Sequence, residues 1–302
     1  MAAQSDSLRR ARPLLGTFVE IDVAGAARDA METAVEAAFR AIAQVHRLMS
    51  FHDPASDVSR LNREASTRAV TVDDWTFQVL ATTGDLHRRS NGLFDVSIAP
   101  ALQRLGLLPG QTDDRRRAPE ETPMADGIEL LARNRIRFKR PDIKIDLGGI
   151  AKGFAVDRAV DVLRRCGMSH GIVNAGGDLA AFGSTPASIH LRDPRDPGRI
   201  LCQVAVKDEA LASTSGSFDP VRSSQAADCA IIDPRSRQPA RQLAGATVRA
   251  PSCMIADALT KLVMIDPPSA ASLLAQARAS ALIVSADGEV NASREWERAR
   301  AA

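Results

Sequence analysis

Two pairs of adjacent glycines, each near an aspartate, flank one amphipathic segment in the middle of the sequence. The first pair, 148–149, follows an apolar stretch at 143–145 that predicts a short strand, and it precedes a helical pattern that runs to Cys166. The second pair, 176–177, follows a predicted strand at 171–173. Because adjacent glycines are typical of tight turns and close backbone approaches, this part of the chain is predicted to alternate strand, turn and helix.

A strand, a glycine turn and a helix start together form a good cradle for an anion. Free N–H groups and the positive end of the helix dipole point at the ligand, and glycine lets the backbone come close to it. Lys152 adds a cation in the first helical turn. These residues predict a ligand that carries phosphate. The alternative is that each glycine pair forms only a tight turn, and the spacing matches neither the Rossmann fingerprint nor a Walker loop.

The segment 145–153, Ile-Asp-Leu-Gly-Gly-Ile-Ala-Lys-Gly, and the segment 174–178, Asn-Ala-Gly-Gly-Asp, resemble the FAD:protein FMN transferases, the ApbE-like family. Further segments resemble this family in the same chain order: Leu15-Gly-Thr17, Met49-Ser50, Ser59-Arg-Leu-Asn62, Gly92-Leu-Phe-Asp95 with Pro100, Ile231-Ile-Asp-Pro234 and Ala256-Asp-Ala-Leu259. The resemblance covers roughly residues 12–292. One such motif is a weak signal, whereas several in order are a strong one.

The resemblance implies a T-fold-like flavin transferase fold of the mixed α/β (α+β) class, with a largely antiparallel sheet. The sequence itself mixes strand and helix patterns without a strict βαβ rhythm. Residues 17–23 alternate as a strand, and apolar residues between 31 and 49 recur at steps of three and four, which predicts an amphipathic helix. We predict one domain over residues 1–302, with a loop insertion near 109–127.

The overall charge and composition exclude several classes of function. A net charge of +2 gives no argument for binding nucleic acid or a membrane surface. No run of 18 apolar residues is present, so no membrane span is predicted. The four cysteines are far apart and form no Cys-x-x-Cys motif, which disfavours a zinc site and fits reduced thiols. Arg9 and Arg10 are not followed by an apolar segment, so we predict no signal peptide and a cytoplasmic location, although many relatives are exported.

The resemblance also implies the residues of the site. It assigns FAD contacts to Leu15, His52, Leu93, Phe94, Asp95, Asp146, Lys152 and Ile231. It assigns catalytic roles to Asp257 and Lys152, and it implies Mg²⁺ held by the carbonyl of Gly149 and the carboxylate of Asp257. His52 stands where the family has Tyr, and its alternative is an exposed loop side chain. The alternative for Asp257 is an ordinary charge on a helix surface.

Lys261 departs from the family pattern in a way that puts metal binding in doubt. The family has Thr at this position, one turn beyond the aspartate, and Asp257 and Lys261 form an i, i+4 pair of favourable polarity. An ammonium here could pair with Asp257 and occupy the place of Mg²⁺. It could also contact a phosphate directly as a point charge.

A second departure concerns the general base. Family members usually have His at the position of Ala230, where it activates the acceptor threonine, and a base of this kind typically contributes 10²–10⁴-fold to the rate. His52, His170 or His190 could approach in space instead. A third departure is Leu105, where the family commonly has Trp.

Taken together, the motifs imply a transferase that moves the FMN half of FAD onto a Thr or Ser hydroxyl of an acceptor protein and releases AMP. The partners are then FAD as substrate and an acceptor protein that the sequence does not name. The alternatives are an FAD-binding protein of the same fold without transfer activity, or a slow FAD pyrophosphatase. The FAD-facing motifs favour transfer, and Ala230 and Lys261 favour the alternatives.

Overall fold

The computed structural model describes residues 7–110, 127–216 and 230–296. Its helices are α1 Arg28–Met49, α2 Asp57–Glu64, α3 Asp74–Arg89, α4 Ala99–Arg104, α5 Ala151–Arg165, α6 Cys253–Ile265 and α7 Pro267–Gln276. Its strands are β1 Ser7–Leu14, β2 Thr17–Ala24, β3 Val70–Thr71, β4 Ile128–Leu131, β5 Arg135–Phe138, β6 His170–Ala175, β7 Asp178–Phe182, β8 Ala187–Asp193, β9 Asp196–Val206, β10 Glu209–Ser215, β11 Ile232–Asp233, β12 Gln238–Pro239, β13 Leu243–Ala250, β14 Ser280–Ser285 and β15 Val290–Ala292.

An 8-stranded sheet forms the centre of the fold, in the order β1-β2-β6-β7-β10-β13-β14-β15. Each neighbouring pair in this order is antiparallel. Three smaller sheets accompany it, with orders β3-β5-β4, β8-β9 and β11-β12. The predicted mixed α/β class with a largely antiparallel sheet is therefore confirmed.

The central strand β7 shows how the large sheet separates two layers. All of its residues are buried. Ala180 and Phe182 belong to the main core, which includes α1, α5 and α6, whereas Leu179 and Ala181 belong to a smaller core with residues of the β8–β9 hairpin. Since side chains alternate along a strand, Asp178 lies on the helix-covered face with Ala180.

The predicted amphipathic helix is confirmed as α1. Its apolar stripe is buried throughout, at Met31, Val35, Ala38, Ile42, Val45 and Met49. A helix with one apolar stripe is stabilised mainly by burying that stripe, and α1 does so against α5 and the sheet. Helix α3 ends at a glycine cap, since the N–H of Gly92 donates to the carbonyl of His87 at 2.8 Å and Gly92 has a φ of +82°.

The predicted strand at 143–145 is wrong, and the reason is the side chain of Asn62. Its Nδ2 donates to the carbonyl of Ile145 at 2.9 Å, and its Oδ1 accepts from the N–H of Ile145 at 2.8 Å. One amide side chain thus supplies the pairing that a neighbouring strand would give. This contact also explains the Ser-Arg-Leu-Asn motif at 59–62.

Some sequence predictions fall on residues outside the described ranges. They concern most of the insertion near 109–127. In the part of the chain that is described, no helix has the length and apolar character to cross a membrane. The single domain over 1–302 and the cytoplasmic location stay predictions.

Candidate functional site

The first turn of α5 follows the glycine turn at 148–149 and is closed by a carboxylate from α6. The N–H of Gly153 donates to Oδ2 of Asp257 at 3.0 Å. The N–H of Gly148 donates to Oδ2 of Asp146 at 3.1 Å. At these two positions the donors that were expected to face a ligand are therefore already bound. Asp257 is fully buried, which excludes the alternative of a helix-surface charge.

Gly153 is glycine because α5 and α6 meet at its bare backbone. A Cβ atom here would overlap the carbonyl oxygen of Cys253 and would lie 2.6 Å from its carbonyl carbon. It would also lie 2.8 Å from Cβ of Asp257. The close approach is what brings the Asp257 carboxylate onto the start of α5.

Asp157 of α5 returns the same contact to the start of α6. Its carboxylate accepts from the N–H groups of Cys253 at 2.8 Å and Met254 at 2.9 Å, and from the hydroxyl of Ser252 at 3.0 Å. Ser252 caps the same helix, since its Oγ accepts from the N–H of Ile255. Each helix therefore places an aspartate at the positive end of the other.

Two lysines and two aspartates form a compact charged cluster beside this helix pair. Lys152 is ion-paired with Asp178, and Lys261 is ion-paired with Asp257, as its i, i+4 spacing predicts. Both aspartates are fully buried, and the lysine side chains are 32% and 14% exposed. The cluster holds formal charges that cancel.

The pKa values in the cluster follow from burial and from these pairs. Burial alone would raise the pKa of Asp257, but the ammonium groups of Lys261 and Lys152 outweigh it and lower that pKa. Burial would lower the pKa of Lys152, yet Asp178 and Asp257 raise it. The pKa of Asp178 is raised by its burial and by the charge of Asp257. One of its oxygens, Oδ1, has no hydrogen-bond partner among the described residues, which fits a carboxyl that is poorly stabilised as an anion.

A cavity of about 920 Å³ lies between the large sheet and the β8–β9 hairpin, next to this cluster. Lys152 and the second glycine pair line it, as does Leu15, which sits in the β1–β2 turn with a φ of +57°. Ser213, Thr214 and Ser215 of β10 also line this cavity. The two predicted FAD contacts that reach it are thus Leu15 and Lys152.

The other predicted FAD contacts lie outside that cavity. His52 is exposed. Burial raises the pKa of Asp146 above its usual value. The segment that carries Asp95 is joined to Asp146, because the N–H of Asp146 donates to the carbonyl of Val96 at 2.9 Å. Asp95 lines a second cavity of about 390 Å³ together with Arg235.

Leu93, Phe94 and Ile231 contribute mainly to packing. Leu93 and Phe94 are buried in the main core, and the half-buried Ile231 packs against it. The carbonyl of Phe94 is hydrogen-bonded to Nδ1 of His87 at 2.9 Å. These positions, like His52, Asp95 and Asp146, stay predictions as FAD contacts.

The residues expected to hold Mg²⁺ do not fit that ion. Oδ1 of Asp257 is paired with Lys261, and Oδ2 accepts from Gly153. The aliphatic chain of Lys261 lies across Gly149, 3.5 to 3.9 Å from where a Cβ of that glycine would stand. Within the described residues, no group of three or more His, Cys, Asp or Glu side chains is placed to hold a metal. Lys261 therefore lies against one of the two predicted ligand residues and is paired with the other.

Sequence reasoning missed several members of the site. Asp178 was seen only as part of a motif, although alternation along β7 would have placed it on the helix face with Ala180. The hydrogen bonds from Lys261 to the hydroxyls of Thr214 and Thr260 were not predicted, and neither was the role of Asp157. Asp157 lies one turn beyond Gly153, and helical periodicity could have found it.

Two of the departures from the family pattern have a defined position. Ala230 is exposed and leads into Ile231. Of the three histidines considered as replacements, His190 lines the large cavity, whereas His170 contacts the hydroxyl of Ser169 at 3.1 Å. Leu105 packs in a small apolar cluster that includes Ile232.

Comparison with known proteins shows which family the chain belongs to. Residues 15–284 match the ApbE family. The chain belongs to the ApbE family. An FAD:protein FMN transferase of Vibrio cholerae is 28% identical over 242 residues, which are 75% of this chain and 71% of that protein.

Two further comparisons define the extent of the likeness. An FAD:protein FMN transferase of Rhodobacter capsulatus is 28% identical over 271 residues, and the match covers 81% of this chain but only 49% of that protein. The crystal structure of the ApbE protein of Thermotoga maritima superimposes with a TM-score of 0.85 at 25% identity, covering 98% of this chain and 99% of that chain. This ApbE-family chain therefore shares its fold over nearly its whole length with a solved member.

Proposed function

We propose that this chain is an FAD:protein FMN transferase, which moves the FMN half of FAD onto a Thr or Ser hydroxyl of an acceptor protein. The observation that carries the proposal is the charged cluster of Lys152, Asp178, Asp257 and Lys261 at the start of α5, beside a cavity of about 920 Å³. Membership of a family whose curated relatives bear this name supports the same reaction.

The transfer exchanges one bond to phosphorus for another. The acceptor hydroxyl oxygen attacks the phosphorus on the FMN side, and the bond to the bridging oxygen of the pyrophosphate breaks. AMP leaves with that oxygen, and the hydroxyl proton passes to a base. The reaction therefore needs cations that stabilise negative charge on phosphate oxygens in a site screened from water.

Lys152 is the residue best placed to supply such a cation at the ligand. It lines the cavity in the first turn of α5, and its ammonium stays protonated because the carboxylates of Asp178 and Asp257 raise its pKa. Asp178 fixes the direction of the Lys152 side chain through their ion pair. Leu15 and the glycines at 176–177 let the backbone border the same cavity.

Ala230 is the observation that favours the alternative functions, since the residue expected to act as base is absent there. An FAD-binding protein without transfer, or a slow pyrophosphatase that gives FMN and AMP, would retain the same cluster and cavity. Curated relatives named as transferases favour transfer over both.

The deciding experiment incubates the purified chain with FAD and a threonine-bearing acceptor protein, with and without Mg²⁺. Mass spectrometry of the acceptor would detect bound FMN, and chromatography would quantify AMP. Equal amounts of AMP and FMN-bearing acceptor are the expected result. AMP with free FMN would identify a pyrophosphatase, and bound but unreacted FAD would identify a binding protein.

A pair of lysine variants makes the assay specific for the cluster. Lys152→Met removes the proposed phosphate contact, and Lys139→Met removes an exposed lysine of the β4–β5 region, paired loosely with Glu129 at 4.0 Å. We expect only Lys152→Met to slow transfer. Equal rates for both variants would place Lys152 outside the reaction.

A further inference from the structure

The ammonium group of Lys261 is surrounded by side-chain oxygen atoms. It pairs with Oδ1 of Asp257, and it donates to the hydroxyl oxygens of Thr214 and Thr260 at 3.1 Å each. A lysine ammonium has three N–H donors, so all three are engaged. The carboxylate and hydroxyl oxygens that surround it are atoms of the kind that bind a hard cation.

The threonines are themselves held in place for this role. The hydroxyl of Thr260 donates to the carbonyl of Asp257 at 2.7 Å, which leaves its lone pairs free to accept from Lys261. The hydroxyls of Thr214 and Thr260 are 2.8 Å apart. These contacts therefore hold the Lys261 side chain in one conformation, so its positive charge has a fixed position.

Space and charge at this position both exclude a second cation. The aliphatic chain of Lys261 lies against Gly149 and its ammonium is paired with Asp257, so both residues expected to hold the ion are already in contact with Lys261. The two lysines and two aspartates already cancel in formal charge, so a divalent cation would enter without a net attraction and beside an ammonium of like sign.

The ammonium is nevertheless close to the ligand cavity. Thr214, one of its three partners, lines that cavity, and 14% of the Lys261 side chain is exposed. A phosphate oxygen in place of the Thr214 hydroxyl would be negatively charged, so both partners of the hydrogen bond would carry charge, whereas only the ammonium is charged in the bond to Thr214.

We propose that in this chain Lys261 takes the place of a divalent cation, so that a diphosphate ligand meets a positive charge built into the protein and binds without Mg²⁺. The inference rests on the proposed function only in taking FAD as that ligand. It deepens that function by making the site metal-independent.

The first experiment uses Mn²⁺ alone, without FAD, and measures bound ion by electron paramagnetic resonance. We expect no bound Mn²⁺ in the wild type and bound Mn²⁺ in Lys261→Thr, which removes the ammonium and supplies a hydroxyl. Bound Mn²⁺ in the wild type, or none in Lys261→Thr, would overturn the inference. This result does not depend on whether the chain binds or transfers flavin.

The second experiment measures FAD affinity by flavin fluorescence, in EDTA and in millimolar Mg²⁺. The wild type should bind FAD equally in both, and Lys261→Met should bind about tenfold more weakly in both, as for loss of one hydrogen bond to a charged group. Lys261→Thr should bind weakly in EDTA and recover in Mg²⁺. Wild-type affinity that falls in EDTA, or an unchanged affinity in Lys261→Met, would overturn the inference.

A paired variant guards against misfolding. Lys261→Met leaves the buried Asp257 short of a partner, which could unfold the protein, whereas Asp257→Asn combined with Lys261→Met removes both charges together. If this neutral pair folds and binds FAD as the wild type does, the cation is dispensable and the inference fails. If the wild type binds FAD without metal but transfers no FMN, the proposed function fails and the inference stands.

Discussion

Replacing Gly153 by alanine tests the contact on which the α5–α6 pair is built. The added Cβ would overlap the carbonyl oxygen of Cys253, and its other near neighbours are the carbonyl carbon of Cys253 and Cβ of Asp257, at 2.6 and 2.8 Å. Two of these three atoms are backbone, so no side-chain rotation can relieve the overlap. The start of α6 must move away from α5.

The expected change in the free energy of unfolding follows from two destabilising effects and one stabilising effect. Overpacking of this kind costs about 1–3 kcal/mol. Moving Asp257 away also weakens its 3.0 Å hydrogen bond from the N–H of Gly153, which as a bond to a charged group is worth about 1.5–3 kcal/mol. Alanine gains about 1 kcal/mol in helix propensity over glycine. We therefore expect a net loss of about 2–4 kcal/mol in the free energy of unfolding.

The assay is urea unfolding at neutral pH followed by circular dichroism, with Gly149→Ala as the matched control. A Cβ at Gly149 would meet only the Lys261 side chain, at 3.5 Å or more, which is ordinary van der Waals contact. The control should change stability by less than about 1 kcal/mol. The reasoning is refuted if Gly153→Ala is as stable as the control, because the two helices could then separate without cost.

Three further outcomes are expected. Lys152→Met should weaken FAD binding about tenfold in a fluorescence titration and lower the free energy of unfolding by about 2–4 kcal/mol. The loss of stability should be smaller at acidic pH, because Asp178, whose pKa is raised, can take up a proton. Unchanged affinity for FAD would make Lys152 a purely structural residue. Asp157→Ala should lower the free energy of unfolding by about 2–3 kcal/mol, since the N–H groups at the start of α6 lose their acceptor, and a loss under 0.5 kcal/mol in urea would contradict this. Asp257→Asn should be less stable than the wild type at pH 6, and the difference in the free energy of unfolding should shrink below about pH 4. The pKa of Asp257 is lower in the folded than in the unfolded protein, so its stabilising contribution is present above the unfolded pKa and is lost as the pH falls through the folded pKa. A constant difference from pH 6 to pH 3 would argue against the Asp257–Lys261 pair.

Periodicity was sufficient to predict the elements that bury one face. The stripe of α1 follows from apolar residues at steps of three and four, and strand β2 from the alternation over residues 17–23, because burial of one face selects those patterns. The failure at 143–145 has a different origin. A side-chain amide from a residue that is 83 positions away satisfies Ile145, and no local pattern encodes such a partner.

The candidate site divides in the same way. The Asp257–Lys261 pair was predictable, because four residues make one turn of a helix and the side chains must meet. The pairing of Lys152 with Asp178 depends on how α5 lies on β7, which is set by packing and not by spacing. The contact between Gly153 and Asp257 spans 104 positions and could be identified only in the folded chain.

The exchange of aspartates between α5 and α6 has a consequence for how the protein is made. Asp157 and Asp257 each complete a helix that is encoded about a hundred residues away, so neither half of the chain can complete the starts of both helices alone. During synthesis, α5 emerges well before α6, so the first turn of α5, which carries Lys152, lacks its contact with Asp257 until the later segment has been made. A ribosome-bound chain that ends before residue 253 should therefore not capture flavin. Flavin binding by a ribosome-bound chain would then indicate that α6 has been synthesised and has packed against α5.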